Sequence, residues 1–313
     1  MNKVIPLLFS SWLSAGCSSF PYQPKNFSYN EQQQDPATQR NKVLLIGIDG
    51  LRPDALQKAR TPALDSLLAN GGDSFDAQAG AHTWSGPSWS NIFTGVWENK
   101  HGVTDNTLEN AKYYTFPSLC TRLNDLKPQL EIETFVSWRP LYERIIGKPD
   151  LSYYHPYTDN GDAIITQAAV DALKNNNPDL IFVYFLDVDV AGHTYGFDPQ
   201  VKEYLTEIED VDLQISEVLS ALTSRPTYEA ENWLILVTTD HGGREFTHGG
   251  QTPEEKTIFY IASGASARKG ELIPPPLQVD IAPTIYYHLG IPVKKEWGLD
   301  GQKRGVKSYP RRF

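Results

Sequence analysis

Asp49, Ser85, Asp189, His193, Asp240, His241 and His248 are the residues of this chain whose types and spacing can do chemistry. Asp49 closes an apolar run, Ser85 precedes Gly86-Pro87, and Asp189 and His193 share the run D-V-A-G-H. Asp240-His241 closes another apolar run, and His248 follows in T-H-G-G. Singly, each has an ordinary role: an Asp at a strand end caps a helix, and a Ser before Pro is a frequent N-cap. A lone His is more often structural than a ligand. Together they place Asp or Asp-His at three strand ends. Neutral imidazoles favour zinc and carboxylates supply the compensating charge, so the set points to a metal site.

The elements that must position these residues follow from hydrophobic patterning. The continuous apolar run at 43–48 ends in Asp49-Gly50, which suits a buried parallel strand followed by a turn. Similar runs predict strands at 132–136, 180–186, 233–238 and 257–261. Helices are expected at 62–69, 87–93, 116–126, 163–174, 201–222 and 278–288. Strands alternating with helices predict an α/β fold with a doubly wound, mostly parallel sheet covered on both faces. Ligands of such sheets bind beyond the carboxyl ends of the strands, where Asp49, Asp189 and Asp240 fall.

The chain has 313 residues, 28 Lys+Arg against 38 Asp+Glu, a formal net charge of −10 and 40% apolar residues. That length makes one large α/β domain or two small ones, and the composition excludes collagen, coiled coil and wholesale disorder. The acidic balance argues against a nucleic-acid partner held by phosphate neutralisation. Cys17 and Cys120 are the only cysteines, so no disulfide framework is available, and Cys120 on its predicted helix reads as a buried apolar residue.

The N-terminus reads as an address. Met1-Asn2-Lys3 is a short cationic start, Val4 to Leu13 is mostly apolar but too short to span a bilayer, and L-S-A-G-C follows. This resembles a bacterial lipoprotein signal in which Cys17 is lipidated and becomes the first mature residue. The usual Leu three before the cysteine is displaced by one, leaving Ser14 there. Residues 18–41, rich in Gln, Asn, Pro and Ser, read as a flexible tether of roughly 27 Å root-mean-square span. The expected organisation is a signal region at 1–17, a tether at 18–41 and a catalytic domain at 42–313. The expected location is the bacterial envelope facing the periplasm, with the membrane as a partner through the lipid anchor; a secreted or soluble periplasmic form is the alternative.

From about Val43 to Gln302 the chain resembles the alkaline phosphatase superfamily, and within it the type I phosphodiesterase and nucleotide pyrophosphatase branch. The stretches that carry the likeness are VLLIGIDGLRPDAL, TPALDSLLANGG, TWSGPSWSNIFTGVWENKHGVTDN, FVYFLDVDVAGHTYG, LVTTDHGG, THGG and VDIAPTIYYHLGIP. The resemblance implies two divalent ions, zinc by ligand type. One is held by Asp49, Ser85, Asp240 and His241, the other by Asp189, His193 and His248. Asp187 competes with Asp189, and the D-x-x-x-H spacing with Gly192 favours Asp189. It further implies that Ser85 is the nucleophile, activated by metal and phosphorylated in turn, that the substrate is a small phosphate ester, nucleotide or lipid headgroup, and that Asn106 holds a nonbridging phosphate oxygen.

Neighbouring activities are weighed on the same residues. Ser85-Gly86-Pro87-Ser88 is similar to the sulfatase pattern, but Trp89 stands where Arg is expected and three histidines favour zinc over calcium. D-H-G-G-x-x-x-T-H-G-G is similar to lipid-linked ethanolamine-phosphate transferases. A phosphomonoesterase would add a magnesium site and an arginine; Arg52 and Arg244 lie near ligands in sequence but read as surface residues. A non-catalytic envelope binding lipoprotein would have lost the nucleophile or ligands, and none is missing. Trp84, Trp89, Trp97, Trp138 and Tyr142 read as core in preference to a base-stacking wall, and His82, His101, His155 and His288 as structural.

Overall fold

The computed structural model describes residues 40–158 and 160–308. Cys17, the signal region and the tether up to residue 39 lie outside the described residues. Among the described residues, eight strands build one sheet: β1 (Arg40–Ile48), β2 (Gly72–Gln78), β3 (Ile132–Val136), β4 (Leu151–Tyr154), β5 (Leu180–Phe185), β6 (Glu231–Thr238), β7 (Thr257–Ser263) and β8 (Gly270–Glu271). Their order is β4-β3-β5-β1-β6-β7-β2-β8. β1 lies at the centre, parallel to β5 and β6, with Ile48 opposite Phe185 and Gly47 opposite Thr238. That register brings the residues after all three strands to one edge, and Asp49 N–H donates to Phe185 O at 2.9 Å.

The apolar runs are continuous because both faces of the central strands are covered. Val43 and Leu45 of β1 belong to one buried cluster with Trp89, Phe93, Cys120, Phe182, Ile285 and Tyr286. Leu44, Ile46 and Ile48 point the other way, into a second cluster with Leu64, Ile165, Leu173, Ile208, Ile215 and Leu219. This alternation is the two-residue period of a strand. Each buried Leu, Ile or Val contributes about 1.5–3 kcal/mol relative to exposure, so the centre of the sheet is the rigid part of the molecule. The doubly wound, mostly parallel α/β architecture is as expected.

The departures have local causes. β7 is antiparallel to both β6 and β2, so the sheet is mixed on that side. β2 (GDSFDAQ) is polar and only intermittently buried, which left no apolar run to detect. The run after β5, for which no helix was expected, forms one over Asp187–Tyr195, so Asp189 and His193 sit four residues apart on one helical face. The helix expected from residue 116 begins at Leu119, because Pro117 precedes Ser118, whose side chain caps the helix by accepting from Thr121 N–H. No helix among the described residues is long and apolar enough to cross a membrane.

Gly47 shows how tightly the sheet grips the helix that carries Ser85. A Cβ added at Gly47 would overlap the Trp89 indole, which is 0% exposed. Gly47→Ala is therefore expected to destabilise the fold by about 1–3 kcal/mol, read as a lowered urea midpoint with an unchanged denaturant slope.

Candidate metal and phosphate site

Two loops and a helix at the carboxyl edge, together with one further helix start, deliver the candidate residues. Asp49 follows β1 and is 0% exposed. Its Oδ2 accepts from Trp89 Nε1–H at 3.0 Å and from the Tyr184 hydroxyl at 2.6 Å, while Oδ1 has no hydrogen-bond partner. Gly50, with φ of +67°, turns the chain so closely past Asp189 that a Cβ would meet its carboxylate. The same Gly50 donates its N–H to Asp240 Oδ1 at 3.2 Å. Asp240 Oδ2 is left without a partner.

Each of the three histidines is held in the same way. Nδ1 of His241 faces Gly242 O, Nδ1 of His193 faces Phe246 O and Nδ1 of His248 faces Thr83 O, all at 2.8 Å. A carbonyl only accepts, so Nδ1 carries the proton and Nε2 presents its lone pair, the orientation seen in metal-ligating histidines. His241 Nε2 lies 3.4 Å from Asp49 Oδ1 and 3.2 Å from Asp240 Oδ2. His193 Nε2 lies 3.4 Å from Asp189 Oδ2, and His248 Nε2 lies 3.6 Å from Asp189 Oδ1. The two Nε2 atoms of His193 and His248 face each other at 3.1 Å, lone pair to lone pair.

The donors thus form two groups, Asp49 with Asp240 and His241, and Asp189 with His193 and His248, each with its ligand atoms within 4.8 Å of one another. The His241 and His248 rings join the groups, stacked with centroids 3.7 Å apart. Burial holds the His241 and His248 imidazoles down to about 3, His248 helped by the neighbouring His241 ring. Burial also raises the Asp49, Asp189 and Asp240 carboxyls, and mutual repulsion raises Asp189 and Asp240 further. Three crowded carboxylates with orphaned oxygens and three Nε2 lone pairs turned toward them fit divalent cations.

Ser85 opens the ten-residue helix Ser85–Thr94. Its hydroxyl lies 3.3 Å from His241 Nε2. Asn106 Oδ1 accepts from Gly86 N–H at 2.7 Å, so its side chain is fixed beside the helix start with its amide N–H groups left to donate. Asp187 is absent from both donor groups; its N–H, with that of Leu186, is taken by the buried Asp162 carboxylate.

Several residues that shape the site had no metal or nucleophile spacing to reveal them. Trp89 and Tyr184 orient Asp49, and Thr83 and Phe246 supply carbonyls to histidines. Gln278 donates through Nε2 to Asp240 O and accepts through Oε1 from Asn91, on the Ser85 helix. Three readings are corrected. Tyr142 is not core: it is 37% exposed, its ring stacked on that of Tyr154 with centroids 5.0 Å apart. Trp84 is not core: standing at the N-cap position of the Ser85 helix, it is 36% exposed, its ring 5.1 Å from that of His248. Arg52 is not a surface residue, being 8% exposed. His101 is structural, with ring nitrogens bonded to Asn91 and to Val103 N–H.

The sequence pattern of the type I phosphodiesterase / nucleotide pyrophosphatase family matches residues 43–144 and 111–256, and the chain belongs to that family. It is 26% identical over 263 residues to bis(5'-adenosyl)-triphosphatase ENPP4 of Bos taurus, across 77% of this chain and 53% of that protein. The chain spans about half or less of the length of the curated relatives it matches first. Among solved structures, murine ectonucleotide pyrophosphatase / phosphodiesterase 5 superposes with a TM-score of 0.65 at 15% identity, covering 80% of this chain and 95% of that one. BT1596, a 2-O GAG sulfatase, gives 0.67 at 16% identity, covering 84% and 73%. These likenesses establish the alkaline-phosphatase-like α/β fold.

The contacts on Asp49 generate one expectation. Tyr184→Phe removes the shorter of the two donors to Oδ2 and frees that carboxylate to rotate. Zinc uptake by the Asp49, Asp240 and His241 group should weaken by about 10–100-fold, measured by competition titration of the metal-free chain against a chromophoric chelator.

Proposed function

We propose that this chain is a metal-dependent phosphoric ester hydrolase, of phosphodiesterase or nucleotide pyrophosphatase type, working through a phosphoserine at Ser85. The observation that carries this reading is the position of the Ser85 hydroxyl against His241 Nε2, with a second donor group joined through the stacked His248 ring. Family membership supports phosphate esters as the substrate class. Asp49, Asp240, His241 and Ser85 would hold one zinc, and Asp189, His193 and His248 the other. When bound, such ions lower the pKa of a coordinated hydroxyl or water and neutralise charge on the oxygens of an in-line displacement.

The chain's own residues supply the rest. Ser85 Oγ, giving up its proton, would bond to phosphorus as the ester P–O bond opposite breaks and the departing oxygen leaves as the alcohol; a water oxygen would then bond to phosphorus as the Oγ–P bond breaks, one water proton returning to Ser85. Ser85 sits at a helix start, where the positive end of the helix dipole favours an anionic phosphate. The Asn106 amide would donate to a nonbridging oxygen, positioned by its own bond from Gly86 N–H. The described ion-pair partners of Asp49, Asp189 and Asp240 are all histidines, so no arginine or lysine is paired into the site. A diester carries one negative charge fewer than a monoester and suits such a site better.

The sulfatase reading has less support, because the side chain at the position of the expected Arg is Trp89, engaged with Asp49. The N-terminal pattern supports an envelope lipoprotein anchored through Cys17 and facing the periplasm. Cys17→Ser should move the protein from the membrane fraction to the soluble fraction of its bacterial host.

Purified protein should hydrolyse bis(p-nitrophenyl) phosphate and lose that activity to a chelator. Ser85→Ala should lower turnover by roughly 10⁴-fold or more while retaining bound metal, checked by elemental analysis beside the rate assay. Calcium alone in the protein, or turnover of sulfate esters only, would establish the sulfatase; turnover that requires an acceptor alcohol would establish the transferase.

A further inference from the structure

Arg52 stands three positions after Asp49 and is almost fully buried, yet it touches none of the candidate ligands. Its Nη1 donates to Phe197 O at 2.6 Å and to Gly243 O at 3.1 Å. Its Nε and Nη2 donate to the two oxygens of Asp54, at 2.9 and 2.6 Å, so the guanidinium plane is fixed. Its backbone N–H donates to the Tyr204 hydroxyl, which in turn donates to Gly50 O at 2.6 Å.

The two carbonyls belong to the segments that leave the two donor groups. Phe197 follows the helix that bears Asp189 and His193, and Gly243 follows Asp240-His241. Phe197 N–H also donates to Glu245 O, on the path to His248, and the Phe197 ring packs against both His193 and His248, with centroids 5.2 and 6.0 Å away. One guanidinium, on the segment that carries Asp49, therefore ties together the segment after the Asp189–His193 helix and the loop after Asp240-His241. We infer that Arg52 is a positioning residue that sets the Asp189–His193–His248 group against the Asp49–Asp240–His241 group. This rests on the two-metal reading above.

The two groups do not depend on Arg52 equally. Asp49 is held by Trp89 and Tyr184 and Asp240 by Gly50 N–H, whatever Arg52 does. The other group leans on it more: Phe246 O and Thr83 O hold its imidazoles, but Asp189 Oδ1 has no hydrogen-bond partner, the His193 side chain is 40% exposed, and the segment that follows its helix is tied at Phe197 O by the arginine. Lysine keeps the charge but is a point donor on a flexible stem, without the planar fork that engages two carbonyls and a carboxylate together. The substitution therefore separates geometry from charge.

The test uses the full chain, stripped of metal and dialysed against zinc alone, with zinc per chain measured by elemental analysis. Wild type is expected to take up two zinc ions. Arg52→Lys is expected to keep one tightly and to bind the second at least tenfold more weakly, with diester turnover recovering as free zinc is raised. A general loss of folding would not recover in this way. Asp54→Ala, at a half-exposed position, leaves the arginine but releases its orientation; it should show the same loss in smaller degree and serves if Arg52→Lys fails to fold. Two equally tight zinc ions in wild type and both variants would overturn the role of Arg52 alone. A wild-type chain that takes up no second zinc would overturn the two-metal reading, and this inference with it.

Discussion

Six donor side chains are packed at one sheet edge in an arrangement that proton hydrogen bonds alone do not satisfy. Carbonyls occupy the Nδ1 protons of all three histidines, which turns three Nε2 lone pairs inward. Carboxylate oxygens on Asp49, Asp189 and Asp240 are buried without partners. Burying unpaired polar atoms costs about 1–3 kcal/mol each, and more when the group is charged. A protein core sustains such an arrangement when its rigid surroundings leave the groups nowhere to turn. The central strands, covered on both faces, provide that rigidity, and the parallel register of β1, β5 and β6 brings the three ligand-bearing segments to the same level.

The chemistry-bearing residues were legible in the sequence because metal ligands are restricted in type and because apolar runs end where they begin. Val43–Ile48 announces a buried strand, and the Asp that follows it has no packing reason to be there. The D-x-x-x-H spacing was legible as a pair, but the helix that carries it was not, since a run containing two Asp, a Gly and a Thr has weak helical preference. Local propensity is overridden by the Asp162 carboxylate, which takes the N–H groups of Leu186 and Asp187 at the helix start. Asp162 is far away in sequence, so no local pattern could disclose it.

The supporting residues were illegible for a related reason. Trp89 and Tyr184 have the composition of core residues and are core residues; their second task, donating to Asp49, depends on where a single polar atom points. Arg52 was misread because an arginine near the start of a helix usually faces water. Here Phe197 O and Gly243 O, distant along the chain, converge on its guanidinium and make burial favourable. Sequence discloses residues whose type is improbable in their place. It conceals residues whose type is ordinary and whose partners are remote.

The two donor groups differ in exposure, and this bears on selectivity. Asp49, Asp240 and His241 are each 0% exposed, and Ser85 beside them is 7% exposed. That side is a sealed, preorganised wall, and under the proposed reading a phosphoryl group there would meet the same fixed atoms whatever ester it came from. The His193 side is open: Trp84, Tyr195 and Phe246 are all exposed at or near the mouth of the site. Under the proposed reading, groups attached to phosphorus on the open side would meet these aromatic side chains. Variation in loops of this kind alters which ester is accepted without disturbing the sealed wall. One fold is thereby compatible with the range of phosphate and sulfate chemistries named among the proteins this chain resembles.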